Sequence, residues 1–220
     1  MLEIVNRIDD KFPFRVYELS NGEFLPSVTS IMSLVHEKDI AKWRKNVGNA
    51  VADAVSLKAS THGTRFHELM ESCMIAIKEK KELPKVKPFT EFFQVYNVAL
   101  KKNVIPNISN VRFIEHQMFS TTLKCAGTCD LLADWKGTTA IIDWKTTKRY
   151  KKLEDVHNYF GQLASYAYIA REKYGIIVKK LVLVFNTSDE YMYVLEQENV
   201  QEWLDFFMKW RKVFYRRYGI

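Results

Sequence analysis

The chain has 220 residues, 47% of them hydrophobic and 14% aromatic, and this composition excludes a disordered protein. The formal net charge of +7 and the pI near 9.2 favour a polyanionic partner only weakly, because many basic proteins bind no nucleic acid. The longest apolar runs, such as residues 181–185, are too short to span a bilayer, and the N-terminus has no apolar signal core. We therefore expect a cytoplasmic protein with no membrane partner, and this length most simply gives one domain over 1–220.

The N-terminal part, 1–105, is predicted to be mostly helical. Residues 12–25 are the exception, because two strand-like runs flank Asn21-Gly22, a strong signal for a hairpin turn. Helical patterning begins near Ser27–Thr29 and continues through most of 28–103. Breaks in this pattern are expected near Glu37–Asp39, at Ser60–Gly63 and around Pro84–Pro88.

The C-terminal part, 106–220, is predicted to contain a sheet and two helices. The predicted strands are 111–120, 127–135, 138–145, 179–186 and 190–195. A helix near 155–173 has one apolar stripe, and a last helix starts at Asn199, with Glu202 in a capping-box-like position. The sequence therefore predicts an α/β fold, a mixed sheet flanked by helices that follows a helical N-terminal half.

Three charged residues lie on the second and third predicted strands of this sheet. Asp143 and Lys145 are two positions apart and therefore point to the same face of their strand. If residues 136–137 form a two-residue hairpin loop, Asp130 pairs with Asp143, with Cβ atoms about 4.5–5.5 Å apart. Two carboxylates this close repel each other, and a divalent metal would relieve the repulsion. Lys145 could then orient or deprotonate a water beside the metal, which is equipment for hydrolysing a phosphodiester.

This strand–turn–strand, followed by a helix, resembles the core of the PD-(D/E)xK nuclease superfamily. Upstream, HGTRFHELM places His67 on a predicted helix and is similar to the GTxxH box of the RecB-like branch. Glu115 lies on the strand before Asp130, and Gln162 with Tyr166 resembles the QxxxY element of the following helix. The stretches LPSVTSIMS, AKWRKNVGNA and IIDWKTTK are most similar to the mitochondrial genome maintenance exonuclease family and its phage and bacterial relatives. The resemblance runs from about Pro26 to the final helix and implies a restriction-endonuclease-like fold.

The resemblance also implies a role for each matching residue. Asp130 and Asp143 would bind Mg²⁺ or Mn²⁺, helped by the backbone carbonyl of Trp144 and by His67. Lys145 would position the attacking water and stabilise charge, while the metal lowers the pKa of that water. The catalytic set is completed by Glu115, which would hold a second metal or orient water, and by Gln162, which would steady the lysine or the phosphate. Glu115 remains open as a site residue, because the adjacent His116 could be the inward one.

Several further residues are expected to contact DNA. A basic cluster follows the third predicted strand directly, where a phosphate backbone would have to pass. The predicted DNA-binding residues are Thr64, Arg65, Thr146, Lys148, Arg149, Lys151, Lys152 and Tyr166.

The cysteine pattern bears on the cofactor. Iron–sulfur members of the RecB-like branch have one cysteine ahead of the histidine box and three near the C-terminus. Here the cysteines are Cys73, Cys125 and Cys129, which do not match that arrangement, so no iron–sulfur cluster is expected. They also form no CxxC pair, and neither a zinc site nor a disulfide framework is indicated.

The implied function is a Mg²⁺- or Mn²⁺-dependent DNA exonuclease that acts on single-stranded DNA or another DNA with a free end, in replication, recombination or repair. The basic, helical 60–105 region could cover the site so that only a free end threads through. Two alternatives remain: a structure-specific or flap endonuclease, and a non-catalytic DNA-binding relative, whose usual sign is loss of a metal carboxylate or the lysine. We expect a bacterial or phage-infected cell rather than an organelle, with other replication or recombination proteins as possible partners and the oligomeric state left open.

Overall fold

The computed structural model describes residues 2–9, 12–189 and 191–220, without the side chains of residues 98 and 99. Near the N-terminus, three antiparallel strands form a small sheet in the order β1-β2-β3. These strands are β1 (Ile4–Ile8), β2 (Val16–Leu19) and β3 (Phe24–Pro26). The predicted hairpin is confirmed as β2 and β3, and Gly22 in its turn has a positive φ of 82°. β1 was not predicted.

A five-stranded mixed sheet forms the centre of the C-terminal half, in the order β4-β5-β6-β7-β8. Its strands are β4 (Ile108–Ser120), β5 (Cys125–Trp135), β6 (Thr138–Thr147), β7 (Lys180–Thr187) and β8 (Met192–Gln197). Only the β6–β7 pair is parallel among these strands, and a helix makes the crossover between them. All five predicted strands are confirmed, although Glu190, at the start of the last prediction, lies outside the described residues.

The α-helices are α1 (Val28–Ser33), α2 (Glu37–Val47), α3 (Asn49–Lys78), α4 (His157–Tyr174) and α5 (Val200–Tyr218). A π-helical segment, Val95–Val104, precedes the central sheet. The predicted break around residues 84–88 is confirmed, since no helix covers residues 79–92. The predicted break at Ser60–Gly63 is wrong, because α3 continues through it, and the chain instead breaks at Gly48, whose φ is +83°. None of the helices in the described ranges is long and apolar enough to cross a membrane.

Helices cover both faces of the central sheet. On one face, α1, α4 and α5 pack against residues such as Leu132 and Ile141. On the other face, α3 and the π-helical segment pack against their strand neighbours Leu131 and Ile142. Because neighbouring residues point to opposite faces, strands β5 and β6 are buried on both sides. The predicted fold class, a mixed sheet flanked by helices, is confirmed.

The last helix begins as predicted. The side chain of Asn199 accepts a hydrogen bond from the backbone N–H of Glu202, which caps the helix. α5 then buries Trp203, Phe207 and Phe214 against α4 and α1. This packing fixes the position of α4, which lines the candidate site described below.

α2 and the first half of α3 form a loosely packed projection, called the projecting arm below. α2 buries none of its residues, and Ala52 is the one buried residue of α3 before Phe66. Apolar side chains remain on the surface of the arm, including Leu57, which is 70% exposed. Grooves lie between the arm and residues near the end of β6.

Candidate active site

The alternation of side chains between the two faces of strand β4 is interrupted at Glu115. Phe113 packs toward α4, and Ile114 packs toward α3, as alternation requires. His116 should then face α3, but its ring lies 4.4 Å from the ring of Phe113 and donates to or accepts from the hydroxyl of Tyr174. The intervening Glu115 has a φ of +44°, a left-handed conformation that is rare for this residue type. The phase change turns His116 away and leaves Glu115 as the residue that lines the cleft.

The β5–β6 hairpin has the predicted register. Trp135 pairs with Thr138 across residues 136–137, whose positive φ angles suit a two-residue turn. The last regular pair is Leu131 with Ile142, and one residue further Asp130 lies beside the strand that carries Asp143. There Asp130 Oδ2 accepts a hydrogen bond of 3.0 Å from the backbone N–H of Trp144. The hairpin therefore brings the two predicted carboxylates together.

His67 reaches the same place from the opposite element, α3. Its Nδ1 lies 3.5 Å from Asp130 Oδ2 and 3.6 Å from Glu115 Oε1. Potential ligand atoms of these three residues all lie within 4.8 Å of one another. An imidazole nitrogen and two carboxylates are a donor set that suits a divalent cation such as Mn²⁺, and carboxylates are the protein groups through which Mg²⁺ is usually bound.

Asp143 and Lys145 form an ion pair at the edge of this cluster. Lys145 Nζ lies 2.5 Å from Asp143 Oδ2, and Asp143 is only 2% exposed. The contact does not have hydrogen-bond geometry, and among the described residues neither oxygen of Asp143 has a hydrogen-bond partner. The ammonium group also lies 5.0 Å from the centre of the Tyr159 ring. Buried oxygens without such partners are costly, and a bound cation would satisfy them.

The protonation equilibria of this cluster reflect burial and crowding. Burial raises the pKa of Asp143 to about 6, with Lys145 opposing the rise and Asp130 adding to it. Burial likewise raises the pKa of Asp130 against the opposing charges of His67 and Lys145. Burial would lower the pKa of Lys145, but Asp143 and Asp130 outweigh it and raise that pKa. The pKa of His67 is also raised, since Glu115 and Asp130 outweigh its burial. Negative charge thus exceeds what the two cationic side chains can neutralise.

Helix α4 supplies the floor of the site. Gln162 and Tyr166, one turn apart, both line the cleft, with exposures of 6% and 2%. Tyr166 fits because residue 127 is glycine: a Cβ there would lie 2.4 Å from the tyrosine hydroxyl oxygen. Burial raises the pKa of Tyr166 well above its usual range. The ring of Tyr166 is therefore fixed beneath the cleft, and its contact with DNA stays a prediction.

The cleft has a volume of about 630 Å³, and several of its lining residues were missed by sequence analysis. The missed residues are Arg7, Arg15, Tyr17, Thr29, Ser60, Glu68, Glu71, Gly127 and Thr128. Glu71 could have been found, because it lies four positions after His67 and so shares its face of α3. Arg7 and Arg15 gave no local signal, since contact between the small N-terminal sheet and the cleft is non-local.

The predicted DNA-binding residues separate into different surfaces. Thr64 lines the cleft, whereas Arg65 does not and pairs instead with Glu91 at 3.0 Å. Thr146 and Lys148 line a neighbouring groove of about 150 Å³, on the other side of α3. Lys151 lines a third groove of about 360 Å³, together with Trp43 and Tyr159. The remaining two predicted residues, Arg149 and Lys152, are exposed and line none of these three surfaces. These roles stay predictions.

Comparison with known proteins places this geometry in a family. A profile of the PD-(D/E)XK nuclease superfamily matches residues 41–216, most of the chain. The chain belongs to the PD-(D/E)XK nuclease superfamily. The predicted resemblance is thereby confirmed, and the matched range contains the cluster of His67, Glu115 and Asp130 as well as the Asp143–Lys145 pair.

This nuclease chain is similar to a human protein and to one solved bacterial structure. Human mitochondrial genome maintenance exonuclease 1 is 25% identical over 157 residues, which are 66% of this chain and 43% of the human protein. The chain thus matches less than half the length of that relative. A solved structure of a candidate exonuclease from Eubacterium rectale is 14% identical, with a TM-score of 0.46, over 73% of this chain and 68% of its own.

Proposed function

We propose that this nuclease is a divalent-metal-dependent DNA exonuclease that degrades single strands from a free end. One observation carries the proposal: a cluster of His67, Glu115 and Asp130 shares a cleft with Lys145, whose ammonium group pairs with the buried Asp143. A metal site beside a fixed ammonium group is what hydrolysis of a phosphodiester requires. The name of the human relative supports both the exonuclease assignment and a role in genome maintenance.

His67, Glu115 and Asp130 would hold Mg²⁺ or Mn²⁺. Asp143, which interacts electrostatically with His67 and Asp130, is proposed as a further ligand. The fit is supported by the excess negative charge of the cluster and by the buried oxygens of Asp143 that lack hydrogen bonds among the described residues. When bound, the cation supplies Lewis acidity toward the phosphate and lowers the pKa of a coordinated water. The carbonyl of Trp144 remains a proposed additional ligand.

Lys145 would orient the attacking water and stabilise negative charge on the phosphate. Its raised pKa keeps Nζ protonated at neutral pH, so it acts as a hydrogen-bond donor and not as a base. Asp143 restrains the ammonium group from one side and the Tyr159 ring from another. Gln162, which lines the same cleft, would donate from its amide to the lysine's water or to the phosphate.

The preference for a free end is proposed from the projecting arm. Ser60, Gly63 and Thr64 of α3 line the cleft, and α2 and the preceding part of α3 extend from them without burying more than Ala52. A helical arm beside the catalytic cluster would admit only a DNA strand whose free end enters the cleft first. Trp43 of α2 and Tyr159 line one groove here and would offer stacking surfaces for bases, worth about 1–3 kcal/mol each.

The test compares linear and circular single-stranded DNA, labelled and incubated with Mg²⁺, Mn²⁺ or EDTA. We expect digestion of the linear strand in either metal, no digestion in EDTA and intact circles. Lys145→Ala should lose activity, whereas Lys212→Ala, which changes an exposed lysine of α5 outside the cleft, should retain it. Cleavage of circles would favour the endonuclease alternative, and equal digestion by Lys145→Ala would refute the role of the lysine.

A further inference from the structure

The small N-terminal sheet contributes two arginines to the wall of the cleft. Arg7 belongs to β1, and Arg15 immediately precedes β2, where Ile8 pairs with Val16. Their side chains are 40% and 36% exposed, and both residues line the cleft that contains Asp130. The pairing of β1 with β2 thus places two cationic groups at the mouth of the catalytic cleft.

Asp9 accepts hydrogen bonds from the Nε atoms of both arginines. Arg15 donates from Nε to Asp9 Oδ1, and Arg7 donates from Nε to Oδ2 at 3.2 Å. Within the described ranges, neither arginine uses an Nη group in a hydrogen bond. The two terminal amino groups of each guanidinium therefore stay available, and these are the donors that recognise phosphate in a bidentate way.

The α3 wall of the cleft has the opposite charge. Glu68 and Glu71 of α3 line it, and the central sheet adds Glu115 and Asp130 to the same cleft. A polyanionic backbone is repelled by that wall and attracted to the side of Arg7 and Arg15. The charge distribution selects one side of the cleft for the phosphates of a bound strand.

We propose that Arg7 and Arg15 form a phosphate-binding site for the backbone of the substrate strand, next to the position that is cleaved. The site fixes the path of the strand along the N-terminal sheet and does not read its sequence. This inference rests on the proposed function, since it takes a DNA strand as the ligand.

The test measures binding of a fluorescent single-stranded oligonucleotide to the full chain in EDTA, at several salt concentrations. We expect Arg7→Ala/Arg15→Ala to weaken binding about tenfold or more at low salt. The slope of log K against log salt should become shallower by about 0.7 for each phosphate that the variant no longer neutralises. Arg216→Ala, an exposed arginine of α5 that does not line the cleft, should bind like the wild type.

Asp9→Asn separates phosphate binding from support of the fold. It breaks the same ion pairs but keeps both cations, so it should bind DNA at least as tightly as the wild type. A double arginine variant with unchanged affinity and slope would overturn the inference, as would an Asp9→Asn variant that reproduces the weaker binding. If either result is found while the wild type still digests DNA, the phosphate-binding site is refuted and the proposed function is not. A wild type that digests no DNA in Mg²⁺ or Mn²⁺ refutes the proposed function instead.

Discussion

Lys145 Nζ and Asp143 Oδ2 lie 2.5 Å apart at adjacent same-face positions of β6, so the catalytic lysine candidate has a carboxylate partner built into its own strand. The carboxylate is 2% exposed and accepts no hydrogen bond from the part of the chain that the structure describes. Under the proposed function, the carboxylate would be shared between this ammonium group and the cation. Substitutions at these two residues should therefore have different effects on metal affinity, cleavage rate and the free energy of unfolding.

Lys145→Ala should reduce cleavage by about 100-fold or more, because a fixed donor to the developing negative charge is removed. Metal affinity should be unchanged or tighter, since the competing ammonium group no longer lies beside Asp143. Single-turnover cleavage and calorimetric titration with Mn²⁺ measure the two effects, with Lys212→Ala as the exposed control. A loss of metal affinity as large as the loss of rate would contradict this division of roles.

Asp143→Asn should stabilise the metal-free protein at neutral pH. The pKa of Asp143 is about 6, above its ordinary 3.8, so the folded state binds this proton more tightly than the unfolded state. Wild-type stability therefore falls as pH rises from about 4 to 6, and the asparagine variant escapes that loss. The difference in unfolding free energy should grow by roughly 1–3 kcal/mol across this window, measured by urea denaturation in EDTA.

Asp134→Asn is the matched control with the opposite sign. Although burial opposes it, hydrogen bonds from Asn110, Arg112 and Thr139 lower the pKa of Asp134. This carboxylate stabilises the fold above its ordinary pKa and loses that effect as pH falls. The variant should therefore be less stable than the wild type at neutral pH and converge with it in acid. Parallel pH profiles for both variants would show that burial does not set the protonation of Asp143.

Mn²⁺ should raise the melting temperature of the wild type in proportion to the logarithm of its concentration above Kd. Glu115→Gln should reduce this rise and weaken Mn²⁺ binding, because it removes one charged member of the His67–Glu115–Asp130 cluster. Glu68→Gln is the control, since it removes a charge from the cleft wall outside the cluster. Equal weakening by both variants would indicate a diffuse electrostatic effect and not a coordinated ion.

Gly127→Ala should destabilise the protein by about 1–3 kcal/mol, since its Cβ would lie 2.4 Å from the hydroxyl of Tyr166. Adding Tyr166→Phe should recover part of the loss, but not all, because the ring carbon Cε1 would still be 2.9 Å away. Gly63→Ala offers the contrast: its Cβ would meet Thr146 Oγ1 at an ordinary 3.5 Å, within a helix interior. That variant should be neutral or more stable by about 0.5–1 kcal/mol. Thermal unfolding of the wild type, both single variants, the double variant and Gly63→Ala tests this. Simple additivity of the Gly127 and Tyr166 changes would contradict it.

The central hairpin could be predicted because its signals are local. The turn at residues 136–137 and the alternation of its strands fix which residues face each other, and so the proximity of Asp130 and Asp143 followed from counting. The predicted break at Ser60–Gly63 failed for a physical reason. Glycine is tolerated inside a long helix at modest cost, so Gly63 alone does not end α3.

Other parts of the site depend on contacts between distant segments. The phase change of β4 at Glu115 has no signature in its neighbours, so strict alternation could not decide between Glu115 and His116. Arg7 and Arg15 reach the cleft only because β1, a strand without a clear sequence pattern, pairs with β2. Secondary-structure propensity is a property of one segment, whereas the β4 irregularity and the β1–β2 pairing both depend on contacts between segments.

The positive φ of Glu115 means that the backbone there would suit glycine better than glutamate. A chain under selection for durability alone would place the smaller residue at this position, and would lose an anionic side chain from the cleft. The preferred replacement for folding and the preferred residue for chemistry therefore differ at one site. Design methods that optimise thermal stability should leave this position unchanged, since a stabilising glycine here would also remove a proposed metal ligand.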